Sequence, residues 1–305
     1  MAKDFVAGWC GGCAGILVGH PFDTVKVRVQ TQPLGTQGRY NGVLHCFYKT
    51  VQTEGVRGLF KGMLSPVVFS AGINAIVFGV TNNMNRSLKK TSSTFKQTGQ
   101  LPLAYYFLSG GVAGSLQSLV CGPSELIKTR MQVDGQGARG KASAEYRSPF
   151  HCARKVYEQR GLRGLFRGTW ATCLRDAPGF GFYFVTYEAL CRGLRPGSSF
   201  PPWVLLTAGG FAGMSAWLFT YPLDVVKSRL QAQSMDPKKQ LYSGVASCIR
   251  RSYQEGGIRV FTKGLSTTMV RAFPVNAVTF YTVEVLLKLM NTPSKISFPH
   301  ETDPV

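Results

Sequence analysis

Three short stretches of the sequence place a proline, an acid and a base at fixed spacing within or just after an apolar run. In the first of them, Pro21 is followed by Asp23 and Lys26. An acid and a base three residues apart lie on one face of a helix. Charges at membrane depth are rare, face the interior of a helix bundle and pair with one another. The chemistry that this spacing predicts is therefore reversible ion pairing.

The motif occurs three times, and its prolines, Pro21, Pro123 and Pro222, are 102 and 99 residues apart. A proline inside a helix removes a hydrogen bond and bends the helix, so three kinks at equal depth would draw three helix ends together. We predict an ion-pair ring made of the pairs Asp23–Lys128, Glu125–Lys227 and Asp224–Lys26. Gln30, Gln132 and Gln231 lie one turn beyond and would brace these pairs. The alternative is pairing within each helix, which three matching kinks disfavour.

Each motif belongs to a larger repeated unit. Apolar runs rich in Gly, Ala and Ser cover residues 5–19, 101–120 and 203–221 and approach the ~20 residues of a membrane helix. Short amphipathic segments follow at 43–53, 149–159 and 245–254, and second apolar helices at 63–86, 169–192 and 265–290. Glycines four residues apart precede each proline (Gly8 and Gly12, Gly110 and Gly114, Gly209 and Gly213) and are predicted to let helices approach closely.

This pattern predicts an all-α membrane protein with six transmembrane helices in three tandem repeats of about 100 residues, related by pseudo-threefold symmetry. Three short amphipathic helices complete the repeats. We expect the repeats to span residues 1–97, 98–197 and 198–292, followed by a polar tail at 293–305.

Composition narrows the function. The chain has 305 residues, 44% of them hydrophobic, and a net charge of +20. Such a charge would suggest a nucleic-acid binder if the chain were soluble, but the apolar runs argue against that class. The loops inside the repeats hold 18 Lys and Arg and the opposite side holds 8, so these loops should face the more positive compartment and the termini the other. No catalytic or metal-ligand constellation is found, so we predict no enzyme, no cofactor and no metal.

The threefold Pro-x-Asp/Glu-x-x-Lys/Arg-x-Lys/Arg pattern resembles the mitochondrial carrier family over residues 4–290, and in particular its basic-amino-acid and carnitine/acylcarnitine-like subgroup. The resemblance implies a monomer with a central cavity, a gate and short helices on the matrix side, alternating-access transport across the mitochondrial inner membrane, and both termini toward the intermembrane space. It also implies membrane lipid, namely cardiolipin, bound at two repeated motifs. Their residues are Tyr40, Gly42, Lys61, Gly62, Tyr146, Arg167, Gly168, Tyr242, Gly244 and Gly264.

The sequence departs from the family pattern in three respects. Thr262 stands where the lipid motif of the third repeat prefers an aromatic residue. An acid-Gly step is present at Glu54, becomes Arg160-Gly in the second repeat, and is offset by one residue at Glu255. The family's cytoplasmic ion pairs are poorly kept, because Glu188 has Cys191 where a base is expected. This departure from the family pattern predicts a weak cytoplasmic gate.

Substrate contacts in the family come from the even-numbered membrane helices. The candidates here are Asn74, Arg175, Asp176 and Arg271. An arginine can clamp a carboxylate while an adjacent acid takes an ammonium, which predicts a zwitterionic cargo. The alternative is that Arg175 and Asp176 only satisfy neighbouring helices.

The resemblance favours basic amino acids (arginine, lysine and ornithine), moved by exchange or uniport. Arginine and lysine bring two cations and one carboxylate, however, and would need a second acid in the pocket. Carnitine, an acylcarnitine or a methylated amine is the alternative, because a quaternary ammonium binds aromatic faces. The residues that offer such faces are Phe180, Tyr183 and Trp217. A proton-leak uncoupling carrier is a more remote alternative.

Overall fold

The computed structural model describes residues 2–32, 40–134, 145–194, 202–236, 238 and 240–290. All regular structure in these residues is helical, which confirms the predicted all-α class. The α-helices are α1 (Ala2–Thr31), α2 (Val43–Glu54), α3 (Leu64–Thr91), α4 (Ser93–Thr98), α5 (Leu103–Val133), α6 (Pro149–Leu165), α7 (Thr169–Gly193), α8 (Pro202–Ala232), α9 (Val245–Gly256) and α10 (Leu265–Leu289). The six-residue α4 was not predicted. The predicted polar tail at 293–305 lies outside the described residues.

The six long helices form a closed ring. Helices α1, α5 and α8 continue through the motif prolines Pro21, Pro123 and Pro222. We call these three the proline-containing helices, although α7 and α10 also hold a proline, Pro178 and Pro274. Helix α3 packs along α5, α5 along α7, α7 along α8, and α10 returns to α1. The proline-containing helices also contact one another, as expected for three helices whose ends are drawn to a common point.

Helix hydropathy is uneven around this ring. Within the described residues, the segment Val56–Thr91 is long and apolar enough to cross a membrane, with a mean hydropathy of 1.8 over its best window. The proline-containing helices are richer in Gly, Ala and Ser and end in the charged motif, which lowers the mean hydropathy of a window that includes it. A search by helix length and mean hydropathy therefore finds too few membrane-spanning helices in a bundle whose interior is charged.

Three small cores lie where the short helices α2, α6 and α9 meet the proline-containing helices. Each contains one motif tyrosine and one cysteine: Tyr40 and Cys46, Tyr146 and Cys152, Tyr242 and Cys248. Burial raises the pKa of Cys46 to about 11 and that of Cys152 to about 12, so these thiols are protonated packing groups at neutral pH. The three tyrosines are likewise buried, so the bulk of each side chain packs inside the protein.

The repeated glycine pairs do not play one common role. A Cβ at Gly110 or Gly114 would overlap the backbone of α7 at Phe180 or Asp176. At Gly8, Gly12, Gly209 and Gly213, by contrast, nothing lies within 4 Å of such an atom. The close approach of α1 to α10 uses other glycines, namely Gly11, Gly15 and Gly19. The prediction of three equivalent glycine contacts was wrong, because the rotation of each helix against its neighbour, and not the spacing alone, decides which face is crowded.

The contrast between Gly12 and Gly114, which occupy equivalent positions in two repeats, is testable. Gly114→Ala is expected to lower the thermal unfolding midpoint in detergent by several degrees, because overpacking against backbone costs about 1–3 kcal/mol. Gly12→Ala is expected to leave the midpoint unchanged or raise it slightly, since alanine favours helix. Equal midpoints for the two variants would contradict the packing described above.

Candidate functional site

Three ion pairs join the proline-containing helices at the level of the repeated motif. Lys128 Nζ lies 2.6 Å from Asp23 Oδ2, Lys26 Nζ lies 2.7 Å from Asp224 Oδ2, and Lys227 Nζ contacts Glu125 Oε2. The pairs link α5 to α1, α1 to α8 and α8 to α5. Within the described residues no motif acid pairs with the base of its own helix, so the arrangement is the ion-pair ring and not local pairing.

Two arginines from the even-numbered long helices add to the ion-pair ring. Arg175 on α7 reaches three carboxylates, with distances of 2.5 Å to Asp176, 3.0 Å to Asp224 and 3.2 Å to Glu125. Arg271 on α10 lies 2.8 Å from Asp23 Oδ1. Each acid of the ring is therefore bound by two cations. The second acid that a basic substrate would need is present here, because the ring acids surround Arg175.

The chain itself holds a signal for this arrangement. Arg175 and Arg271 each stand seven residues after the glycine that precedes their helix, Gly168 or Gly264. The same offset from Gly62 leads to Phe69. The second and third repeats thus place an arginine at this symmetric position, whereas the first repeat places the aromatic side chain of Phe69 there. The ion-pair network is therefore not threefold symmetric.

Asp176 faces α5. Only 5% of the residue is exposed. Its Oδ2 accepts a hydrogen bond from Gln117 Nε2 at 2.5 Å and lies 3.4 Å from Ser118 Oγ, while its Oδ1 binds Arg175. Gln117 and Ser118 were missed in the sequence, although polar side chains within a membrane helix are themselves a signal of interior contacts. The placement makes Asp176 a support for Arg175.

Asn74 is not brought into this network. It lies on α3 with an exposed side chain and makes no hydrogen bond within the described residues. Of the four substrate candidates, three therefore come together and Asn74 stays apart from them.

The three glutamines differ in their contacts. Gln30 Nε2 donates to the hydroxyl of Tyr221 at 3.0 Å and lies 3.3 Å from Asp224 Oδ2, as a brace of the ring should. Gln132 donates to Thr24 at 3.2 Å, and Gln231 accepts from Thr129 at 3.3 Å. The prediction that Gln132 and Gln231 brace the ion pairs by hydrogen bonds was wrong for direct bonds, because Nε2 of Gln132 and both polar atoms of Gln231 bond to threonine hydroxyl groups.

A tryptophan face is covered by two of the same cations. Lys26 Nζ lies 4.2 Å from the ring centroid of Trp217, and the Arg271 guanidinium lies 6.0 Å from it. Both distances are within the range of cation–π attraction. The indole ring of Trp217 is therefore a cation-binding surface next to the ion-pair ring.

At the opposite end of the bundle, Glu188 forms an ion pair with a base of its own helix. Arg192 Nε lies 2.8 Å from Glu188 Oε1, four residues away on α7. The same guanidinium donates to the carbonyl of Leu101 and lies over the ring of Tyr106, with 5.6 Å to the centroid. The base expected at Cys191 is thus supplied one residue later.

The predicted lipid motifs place glycines at helix N-termini. Gly62, Gly168 and Gly264 adopt φ values of +81°, +81° and +82°, a conformation that favours glycine. Gly168 and Gly264 stand directly before α7 and α10, and Gly62 stands two residues before the start of α3. Gly42 and Gly244 precede the first residues of α2 and α9. Free N–H groups at such ends suit a phosphate headgroup.

Cys121, Glu125 and Asp176 place three potential ligand atoms within 4.8 Å of one another. Both carboxylates are already engaged by Arg175, and Glu125 also by Lys227. We therefore assign this group to the ion-pair network.

The mitochondrial carrier protein family matches the chain in three segments, residues 1–92, 99–197 and 198–294. The chain is 48% identical to the mitochondrial basic amino acids transporter of Bos taurus, over 94% of this chain and 92% of that protein. It is 47% identical to the Homo sapiens protein of the same name, over 94% and 90% of the two chains. It is also 42% identical to solute carrier family 25 member 45 of Mus musculus, over 94% and 98%.

Proposed function

The chain belongs to the mitochondrial carrier family, and we propose that it carries basic amino acids (arginine, lysine and ornithine) across the mitochondrial inner membrane. The family and the names of the relatives indicate a multi-pass protein of that membrane and a transporter of small molecules. The observation that carries the cargo proposal is the set of three carboxylates that share Arg175.

A basic amino acid bears the same cationic groups as the side chains that close the ion-pair ring. A substrate guanidinium can take the carboxylate contacts of Arg175, and a substrate ammonium can take those of Lys26 or Lys128. The substrate carboxylate would then pair with Arg271, whose side chain is 24% exposed and meets one acid, Asp23, within the described part of the chain. Because paired charges separate at low cost only when other charges replace them, such a substrate opens the ring by substitution.

The quaternary amines fit this site less well. A trimethylammonium group carries no N–H, so it cannot replace the hydrogen bonds that Arg175 donates to carboxylates. The aromatic faces predicted for it are engaged in the described structure: Lys26 covers Trp217, and Phe180 and Tyr183 pack on Phe184. These contacts support basic amino acids over carnitine or a methylated amine.

The two ends of the bundle support alternating access. We propose that the ion-pair ring closes the matrix side, that the within-repeat loops face the matrix, and that both termini face the intermembrane space. At the other end, the Glu188–Arg192 ion pair lies within α7, and Arg192 reaches Tyr106 and Leu101 by a cation–π contact and a hydrogen bond. Within the described residues no ion pair joins two helices there, which supports a resting state that is open toward the cytoplasm. Cardiolipin at the glycine motifs and a functional monomer complete the proposal.

The cargo is tested by reconstituting the purified protein in cardiolipin-containing liposomes. Labelled arginine, lysine, ornithine, carnitine and choline are offered against internal arginine or no internal substrate, which separates exchange from uniport. Arginine and lysine uptake is expected to exceed carnitine uptake at least about tenfold, a difference of roughly 1.4 kcal/mol in barrier. Carnitine uptake without arginine uptake would overturn the cargo.

A further inference from the structure

The buried arginine that ends each repeated motif has an acid partner in two of the three repeats. In the first repeat, Arg28 is bound by both oxygens of Glu54, at 2.6 and 2.9 Å. In the third, Arg229 Nη1 lies 3.0 Å from Glu255 Oε2. Glu255 therefore reaches the motif arginine of its repeat although it is offset by one residue in the sequence. The second repeat has Arg160 where the others have glutamate.

In the second repeat three arginines converge on the chain that follows α8. We call Arg130, Arg160 and Arg167 the arginine cluster. The carbonyl oxygens that accept their hydrogen bonds belong to three consecutive residues: Gln233 at 3.2 Å from Arg130, Ser234 at 3.1 Å from Arg167, and Met235 at 2.8 Å from Arg160. Carbonyl dipoles satisfy the hydrogen bonds but leave three positive charges in place.

The nearby acids, Asp134, Glu145 and Asp236, bind other groups. The Oδ1 of Asp236, the residue after Met235, accepts a hydrogen bond from the backbone N–H of Lys238 at 3.0 Å. Asp134 accepts hydrogen bonds from the backbone N–H groups of Glu145 and Tyr146, each at 2.9 Å. The Glu145 carboxylate lies 2.9 Å from Lys155. Within the described residues no acid lies within ion-pair distance of the arginine cluster, whose only other side-chain oxygen partner is the hydroxyl of Tyr146, 2.7 Å from Arg130.

The arginine cluster has both the charge and the access that an anion requires. Burial lowers the pKa of Arg167, and the positive charges of Arg160 and Arg130 lower it further. Arg130 is buried, Arg167 is half-buried and Arg160 is exposed, so the cluster opens to the surface at one end. Guanidinium forks match phosphate oxygens in geometry and charge.

We propose that the arginine cluster binds a phosphate group, from a soluble phosphate or from a lipid headgroup. The anion replaces the glutamate that the first and third repeats supply in the chain. Because Arg130 belongs to α5 and donates a hydrogen bond to the carbonyl of Gln233, the residue that follows α8, a bound anion stabilises the α5–α8 junction. That junction also carries the Glu125–Lys227 pair, so the anion favours the closed ion-pair ring. This site is independent of the cargo.

The experiment measures thermal unfolding of purified carrier in detergent without added lipid. Sodium pyrophosphate is titrated against sodium chloride at equal ionic strength. The wild type is expected to gain about 3 °C or more from pyrophosphate, as a ligand that binds the folded state must raise the midpoint. Arg160→Glu, which installs the acid of the other repeats, should lose this gain and be at least as stable as the wild type without the anion.

Arg163→Glu is the matched control, since it makes the same charge change on the exposed side of α6, and it should respond like the wild type. Arg160→Gln should show a reduced gain. A wild-type gain no larger than in sodium chloride, or an equal gain in Arg160→Glu, overturns the site. Adding cardiolipin micelles identifies the source of the phosphate group. If the occupant is a lipid, cardiolipin should raise the unfolding midpoint of the wild type, pyrophosphate should compete with this rise, and Arg160→Glu should not show it. If the occupant is soluble, Arg160→Glu should show the same rise with cardiolipin as the wild type.

Discussion

Replacing Arg175 with glutamine is expected to lower the exchange of arginine and lysine by at least about 100-fold. The side chain holds Glu125, Asp176 and Asp224 together, and Asp224 is only 3% exposed. Removing one partner of a buried ion pair costs about 3–5 kcal/mol, and a barrier change of about 1.4 kcal/mol is a tenfold change in rate. The loss of this cation should therefore affect both the closed ion-pair ring and the substrate contact.

The measurement is the initial rate of labelled arginine exchange in liposomes, normalised to the amount of folded carrier. Arg154→Gln is the matched control, because Arg154 forms an exposed pair with Glu158 at 2.8 Å and exposed pairs contribute little. Arg175→Lys should fall between the two, since an ammonium cannot span three carboxylates. An Arg175→Gln rate within about threefold of the wild type, less than 1 kcal/mol in barrier, would exclude Arg175 from the transport cycle.

The sequence predicts the contacts of residues that recur in all three repeats and that need an oppositely charged partner. The Pro-acid-base motif requires charges to meet inside a bundle, so the three interhelical pairs could be assigned before any coordinates. The arginines at 175 and 271 were identified as substrate candidates, but the ring acids that they bind, Glu125, Asp224 and Asp23, lie on other helices. Such partners depend on the rotation of α7 and α10, which no local pattern encodes.

Symmetry is also where the sequence misleads. Gly12 and Gly114 are equivalent in the repeat, but only Gly114 meets a neighbouring backbone. Gln30 and Gln132 are equivalent, but a hydroxyl group nearer to Gln132 takes its amide hydrogen bond. A repeat fixes which residues correspond, whereas packing of unequal side chains around the ring decides what each of them touches.

The asymmetry of the network leads to a second large expected effect, on stability. Glu125→Gln alone leaves Lys227, which is 4% exposed, without its acid and should cost about 3–5 kcal/mol, on the order of 10 °C in unfolding midpoint. The double variant Glu125→Gln with Lys227→Gln removes both charges. It should recover at least half of that loss, since Arg175 keeps Asp176 and Asp224.

The Asp23–Lys128 pair should behave differently. Removing both of its charges leaves Arg271 without an acid partner, because Asp23 is its only acid within the described residues. The double variant Asp23→Asn with Lys128→Gln should therefore recover little of the Asp23→Asn loss, until Arg271→Gln is added. Unfolding midpoints of the singles, doubles and the triple form coupling cycles that isolate these pairs. Equal recovery in the two doubles would mean that Arg175 and Arg271 contribute no energy to the ring, and that the three ion pairs alone hold it closed.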